Sequence, residues 1–249
     1  MFDATVTEEV CRLRRPGTRW LSTGYDGGES HADAGYLCSV PEGWDDVDIA
    51  NYIERRRLDA GFDDADPGPA LLTGISMCHA HRARLGSVEA VATAGLSNPA
   101  ALPVPGERWV GDEGGDGSVG SSDDSQHVGT VNVVVGTTRS LAPGALANLV
   151  AVAAEAKTAT LLTQTGFPGT TSDAVVVACD PAGDSAAFSG SATAVGAAAR
   201  ACVRDALLAA LRSRYGTDRP PTSVAEATYG VVTDARAAVS TIDSDNSDG

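Results

Sequence analysis

Lysine is almost absent from this sequence: seventeen of its eighteen basic residues are arginine, and the remaining one is Lys157. Acidic residues number 33, most of them Asp, and the formal net charge is −15. Such an excess of negative charge argues against nucleic acid or an anionic membrane as the main partner. Because salt screens repulsion between surface carboxylates, this composition indicates a cytoplasm of very high salt concentration. The acidity is therefore weak evidence about the substrate.

Paired cysteine motifs and long apolar runs are also missing. The five cysteines are scattered, with no Cys-x-x-Cys, which predicts free thiols in a reducing cytosol. No segment reaches about 18 consecutive apolar residues, and the first residues lack the pattern of a secretory signal. We therefore expect a cytoplasmic protein that does not contact a membrane.

Aromatic residues make up only 5% of the chain, so a core has to be built from Val, Ala and Leu. Residues 4–23 alternate in polarity around Pro16-Gly17, which predicts a hairpin with its turn there. Apolar strands are predicted at 128–136 and 173–179, and long helices at 143–166 and 191–216. The pattern predicts an α+β (α/β-like) fold, in which one mixed β-sheet is layered against two long helices.

Two segments have the composition of unstructured chain. Residues 112–127 are acidic and rich in Gly and Ser, and a strand pattern resumes directly after them. This predicts a flexible acidic insertion within a single domain at 1–239 rather than a linker between domains. Residues 240–249 predict a disordered tail.

The single lysine falls on the buried side of a predicted helix. Lys157 continues an apolar stripe, with Leu146, Val150, Ala153 and Leu161 at steps of three and four residues. One interpretation is a lysine whose stem lies along the helix edge while its ammonium reaches water. The other is a site that needs an ammonium, because lysine is a compact donor that arginine cannot replace. Glu155 points about 160° away around the same helix.

The loop GFPGTTSD precedes the second apolar strand. It lacks the lysine of a phosphate-binding loop and leads into a strand rather than a helix, so we exclude nucleotide binding there. Asp173 is predicted to cap the turn or to orient a hydroxyl or a substrate amide, and Thr170, Thr171 and Ser172 to form the turn or a site. These alternatives remain open from the residues alone.

Asparagine marks two further candidate positions. Asn132 interrupts an apolar strand, and a buried Asn must find hydrogen-bond partners. It is predicted either to hold a neighbouring loop or to donate to a substrate carbonyl. Ser97 and Asn98 follow another strand, where Ser-Asn-Pro is typical of a turn and where sites are also built.

A metal site is not expected. The segment MCHAH contributes Cys78, His79 and His81, but zinc sites draw ligands from separated pairs, and no second cluster is present. The two histidines remain candidates for general acid–base chemistry.

Five ordered segments together resemble the adenosylcobinamide amidohydrolase family of archaeal corrinoid salvage. They are RWLSTGYDGG (19–28), AGLSNPA (94–100), GTVNVVV (129–135), NLVAVAAEAKTATL (148–161) and GTTSDAVVVAC (169–179). The resemblance implies hydrolysis of the amide that joins aminopropanol to a propionate arm of the corrin ring, which releases adenosylcobyric acid. It implies a corrinoid substrate that carries its own cobalt, and no further cofactor.

Amide hydrolysis needs a nucleophile, donors for the oxyanion and an acid for the leaving amine. We expect Lys157 with Thr170, Thr171 and Asp173 to form one side of the site. Asn98 and Asn132 are expected to form another.

The expected roles are not unique. Glu155 or Asp173 is the expected base, Lys157 the acid or oxyanion donor, and Ser22 or Thr171 the nucleophile. The predicted substrate-binding residues are Ser22, Gly27, Gly28, Ser97, Asn98, Asn132 and Thr170. A corrinoid-binding protein without catalysis, and a hydrolase of another amide, are the alternative functions.

Overall fold

The computed structural model describes residues 1–41, 43–44, 48–104, 129–216, 218–227 and 229–242. The predicted acidic insertion at 112–127 lies outside these residues, as do positions 243–249 of the predicted tail. Residues 240–242 have no regular secondary structure. The α-helices of the described chain are Ile49–Asp59 (α1), Pro143–Thr165 (α2) and Ala194–Tyr215 (α3).

The strands are short except for two long partners near the N-terminus. They are Asp3–Thr7 (β1), Val10–Ser22 (β2), Gly28–Ser39 (β3), Pro67–Thr73 (β4), His81–Leu85 (β5), Val88–Ala94 (β6), Pro99–Ala101 (β7), Val131–Thr137 (β8), Ser140–Leu141 (β9), Gly169–Thr170 (β10), Ala174–Cys179 (β11), Ser185–Ala186 (β12) and Val231–Val232 (β13).

One mixed sheet organises the fold, in the order β4-β3-β2-β11-β8-β6-β5, with β1 paired to β2 beside this path. Neighbours β8 and β11 are parallel, whereas β2 and β6 run antiparallel to them on either side. Because β8 and β11 begin where β2 and β6 end, four loops meet at one edge of the sheet. The predicted mixed sheet and α+β class are confirmed.

The two long helices cover one face of this sheet. Val131, Val133 and Val135 of β8 point toward them and are fully buried in the largest apolar cluster, together with residues of α2 and α3. Alternation along the strand sends Asn132 and Val134 to the opposite face. The predicted layering of a mixed sheet against two long helices is confirmed.

The opposite face is covered by the sheet itself. A hydrogen bond joins the Asn132 side chain on β8 to the Leu72 carbonyl on β4, although β3, β2 and β11 lie between these strands in the sheet. The sheet therefore folds over, and Trp20 is fully buried in the apolar cluster enclosed between its halves. Tyr36 and Phe62 lie in a separate cluster on the outer side of β3 and β4.

The predicted hairpin turn at Pro16-Gly17 is wrong. β2 runs through this dipeptide with an irregularity between Arg14 and Thr18, and the first turn lies at Glu8-Glu9 instead. Both glutamates have left-handed φ angles, 48° and 61°, which suit a two-residue hairpin turn. Pro16-Gly17 forms a bulge, where proline is tolerated because a bulge needs no ladder donor.

Helix ends follow the sequence signals closely. α1 is capped by Asp48, whose carboxylate accepts the Asn51 N–H, and α2 has Pro143 at its first turn. α2 ends at Thr165 and is followed by Gly166, whose left-handed φ of 81° caps the helix. α2 is long and apolar enough by composition to cross a bilayer, but half of its most apolar window is buried in the fold.

Candidate functional site

The candidate site lies at the sheet edge where β8 and β11 begin and β2 and β6 end. Four loops meet there, at 23–27, 95–98, 129–130 and 171–173. Backbone bonds join them: the Thr171 N–H donates to the Asn98 carbonyl, and the Gly95 N–H donates to the Thr130 carbonyl. Segments far apart in sequence therefore form one polar patch.

Asp173 holds the turn before β11. One of its carboxylate oxygens accepts from the Val131 N–H (2.9 Å) and the Thr170 hydroxyl, and the other accepts from the Thr170 N–H (3.1 Å) and the Lys157 ammonium. These four bonds fill the carboxylate's lone-pair directions. Asp173 is therefore the fixed anchor of this turn.

Lys157 reaches Asp173 from α2. Its side chain is 9% exposed and that of Asp173 is 11% exposed, so the ion pair is buried. Gly169 makes room for the pair: a Cβ at that position would collide with the Asp173 carboxylate and lie 3.0 Å from the Lys157 Nζ atom. The helix stripe correctly predicted a buried Lys157, and Lys157, Thr170 and Asp173 lie together as predicted.

Hydroxyl and amide groups surround the tip of the turn. The Asn98 Nδ2 atom donates to Thr171 Oγ1 at 2.6 Å and to Ser172 Oγ at 3.4 Å. Ser172 Oγ also lies 2.9 Å from Thr130 Oγ1 and 3.1 Å from the Gly129 carbonyl. Asn98 therefore belongs to the side of the site that Thr171 forms. The prediction that it forms a separate side of the site together with Asn132 does not hold.

The sequence assigns Ser172 no catalytic or substrate-binding role, because a serine within a Thr-Thr-Ser turn is typical of turn formation. With its proton donated to the Gly129 carbonyl, Ser172 Oγ can accept from Thr130 and Asn98. Two donors at one oxygen favour negative charge there. The arrangement therefore suits a hydroxyl oxygen that attacks a carbonyl.

A cavity of about 370 Å³ opens beside the turn. Its polar lining residues are Thr73, Thr130, Asn132 and Ser172, and Tyr25 and Trp44 contribute aromatic surface. Asn132 is 1% exposed, and its Nδ2 atom donates to the Leu72 carbonyl at 2.8 Å. Of the two roles predicted for Asn132, the structure shows the first, in which its side chain holds a neighbouring segment.

The predicted residues Ser22, Gly27 and Gly28 line a second cavity of about 460 Å³. Tyr25 and Ala70 line both cavities, which are therefore adjacent. Ser22 Oγ accepts the Gly24 N–H at 3.1 Å, and Gly27 is packed so closely that a Cβ would collide with the Ser22 carbonyl. Residues of this loop line both cavities, with Gly24 at the first and Gly27 at the second.

The backbone carbonyl of Ser97 accepts the Tyr229 N–H at 2.8 Å. The same loop is held from α3, where the Tyr215 hydroxyl accepts the Leu96 N–H at 2.9 Å. Burial raises the pKa of Tyr215 above its ordinary value, so this hydroxyl stays protonated near neutral pH.

Glu155 lies away from this site. Its carboxylate accepts from Arg200 of α3 at 3.2 Å, and its side chain is 63% exposed. The predicted angular separation from Lys157 explains this position, and the structure does not bring Glu155 to the turn. His79 is also elsewhere, with its Nδ1 atom 2.9 Å from Ser213 Oγ of α3.

Two comparisons with known proteins agree with each other. The sequence model of the adenosylcobinamide amidohydrolase family matches residues 5–219. A protein of Halobacterium salinarum named adenosylcobinamide amidohydrolase is 52% identical over 241 residues, which cover 96% of this chain and 99% of that protein. The site positions from Ser22 to Tyr215 lie within the residues that the family model matches.

Proposed function

The chain belongs to the adenosylcobinamide amidohydrolase family, and we propose that it hydrolyses the amide between aminopropanol and the propionate arm of adenosylcobinamide. The products are aminopropanol and adenosylcobyric acid, and the reaction serves corrinoid salvage. The enzyme is an amidohydrolase. Its substrate is a small-molecule corrinoid that brings its own cobalt, so no cofactor is assigned.

One observation carries the choice of site: Thr130 and Ser172, whose hydroxyl oxygens lie 2.9 Å apart, line a cavity beside a turn anchored by a buried ion pair. A volume of about 370 Å³ is that of a pocket for a small ligand. It suits the slender aminopropanol arm, while the macrocycle stays outside. Tyr25 and Trp44 offer aromatic surface to the ligand.

We assign Ser172 the attack on the scissile carbonyl. Its oxygen adds to the carbonyl carbon, the C–N bond breaks, and the hydroxyl proton leaves with the nitrogen as aminopropanol. Water then hydrolyses the acyl ester and restores the hydroxyl. Thr130 and Asn98 stabilise the charge on the attacking oxygen, because both can donate to it.

Lys157 and Asp173 position this turn rather than reacting. All four hydrogen-bonding directions of the Asp173 carboxylate are occupied, so taking a proton would break a bond. The earlier expectation that Ser22 or Thr171 is the nucleophile stays a prediction. Ser172 is preferred to both because it lines the cavity beside the anchored turn.

The test is direct. The unmodified protein in multimolar KCl is incubated with adenosylcobinamide, and free 1-amino-2-propanol and adenosylcobyric acid are measured. Release of both in equal amounts supports the proposal. A folded protein that binds the corrinoid without release would favour a non-catalytic corrinoid-binding protein, and release from another amide with no effect of corrinoids would favour a different hydrolase.

The working environment belongs to the same proposal. We infer a cytoplasm of high salt concentration, without nucleic acid or membrane as partner, from the net charge of −15 and the single lysine. An enzyme that is folded and active in multimolar KCl and unfolds in dilute buffer would support this inference.

A further inference from the structure

Asn132 lines the cavity beside the turn and has an unused hydrogen-bond acceptor. Its Oδ1 atom is buried and has no hydrogen-bond partner in the part of the chain that the structure describes. Its amide orientation is fixed, because Nδ2 donates to the Leu72 carbonyl. A buried acceptor without a partner is unfavourable unless a bound molecule satisfies it.

A second residue that lines the same cavity has an unpaired donor. The indole Nε1 of Trp44 is buried and has no partner among the described residues, and Trp44 lines the cavity together with Asn132. A ligand that pairs with both Asn132 Oδ1 and Trp44 Nε1 must donate one hydrogen bond and accept another. An amide group does both, through its N–H and its carbonyl oxygen.

We propose that Asn132 Oδ1 accepts the N–H of the scissile amide and so makes the site selective for amides over esters. This inference rests on the proposed function. Ser172 lines the same cavity, so one amide can present its carbonyl to the hydroxyl and its nitrogen to Asn132. Trp44 supplies a donor for the carbonyl oxygen.

The contact strengthens as the reaction proceeds. When the Ser172 oxygen adds to the carbonyl carbon, the nitrogen loses its amide resonance and takes the hydroxyl proton. In that tetrahedral intermediate the nitrogen is an ammonium centre, which is a better donor than the amide N–H, and cleavage of the C–N bond then releases it as the neutral amine. Asn132 therefore acts more on kcat than on KM.

The test compares two substrates that differ in one atom. One is adenosylcobinamide, and the other is the matching ester, in which oxygen replaces the amide N–H. Asn132→Val removes both the acceptor oxygen and the group that donates to the Leu72 carbonyl. Asn132→Asp also loses that donor but keeps an acceptor oxygen. Thr93→Val is the control for an unpaired buried group, since Thr93 lies directly opposite Asn132 on β6 and its hydroxyl has no partner in the described chain.

We expect Asn132→Val to lower kcat for the amide roughly tenfold to a hundredfold and to change ester hydrolysis less than threefold. Asn132→Asp and Thr93→Val should keep the amide-to-ester ratio of the unmodified protein. Trp44→Phe, which keeps the ring but loses the N–H, should lower hydrolysis of both substrates alike.

The outcomes distinguish a failure of this inference from a failure of the proposed function. If Asn132→Val folds and lowers both reactions equally, Asn132 has only a structural role and this inference is overturned. If the unmodified protein hydrolyses neither substrate, the proposed function fails and the inference fails with it. If Asn132→Val does not fold, the N-methylated amide decides the matter with the unmodified protein: hydrolysis at least tenfold slower than for the secondary amide supports the inference, and smaller slowing contradicts it.

Discussion

The ammonium of Lys157 on α2 is paired with the carboxylate of Asp173 at the start of β11, and both side chains are buried. The pair ties the helix to the turn that presents Ser172 to the cavity. Because the same carboxylate also holds Thr170 and the Val131 N–H, it joins the turn to the neighbouring strand β8. The geometry of the turn therefore depends on this one carboxylate.

Breaking this pair from the lysine side should destabilise the fold. Lys157→Met leaves a buried carboxylate without its cation, which typically costs about 3–5 kcal/mol of the free energy of unfolding. Chemical denaturation in constant KCl measures the change. Glu155→Gln is the matched control on the same helix, because it breaks the exposed pair with Arg200 and should change stability by less than about 1 kcal/mol. Equal effects of the two substitutions would contradict a structural role for the buried pair.

Gly169→Ala should disturb the same turn from another side. The added Cβ meets the Asp173 carboxylate, which is held by other bonds and cannot move freely. We expect a loss of roughly 1–3 kcal/mol in stability and a clear fall in turnover. The control is Gly144→Ala, where a Cβ meets nothing within 4 Å on helix α2 and should be neutral or stabilising. A Gly169→Ala protein with unmodified stability and turnover would show that the turn tolerates the methyl group.

The sequence patterns predicted the helices and the central strands because their apolar periods were long and regular. The burial of Lys157 followed from the same periodicity. The side-by-side position of Asn98 and Thr171 could not be predicted, since it depends on which loops meet at the sheet edge. The first turn was misplaced because Glu8-Glu9 has no glycine or asparagine to mark a left-handed conformation, whereas Pro16-Gly17 does resemble a turn.

The contacts of Asp64, which lies away from the candidate site, predict that the stability of the fold falls at acid pH. Asp64 accepts from the Tyr36 hydroxyl at 2.6 Å and from Arg14 at 3.2 Å, and Arg12 lies at 3.5 Å. Burial alone would raise the pKa of Asp64, but these bonds and charges outweigh it and the pKa is lowered. The carboxylate therefore stabilises the fold above its unfolded pKa of about 3.9, and this contribution is lost as the pH falls through the lower folded value.

Asp64→Asn should accordingly destabilise the protein by roughly 1–3 kcal/mol at pH 7. The difference from the unmodified protein should shrink as the pH falls below about 4. Urea unfolding at several pH values measures it. A difference that is constant from pH 7 to the acid limit would mean that the charge of Asp64 contributes nothing.

Thiol reactivity should single out Cys78. It is exposed, whereas the other four cysteines are buried. Burial raises the pKa of Cys11 to about 11 and that of Cys38 to about 12, so these thiols are protonated and unreactive near neutral pH. A chromogenic disulfide reagent at pH 8 should titrate one thiol quickly in the folded protein and five after denaturation. Cys78→Ser should abolish the fast reaction, and rapid labelling of several thiols would contradict the burial described here.

The central claim is that the turn beside the cavity carries out amide hydrolysis, and the most direct measurement is aminopropanol release by Ser172→Ala. The control is Ser191→Ala, which removes a hydroxyl from the groove between α2 and α3. The account predicts that Ser172→Ala keeps its fold and loses at least a hundredfold in kcat, while Ser191→Ala stays within about twofold of the unmodified protein. A folded Ser172→Ala protein that releases aminopropanol at the unmodified rate would contradict the assignment of the site.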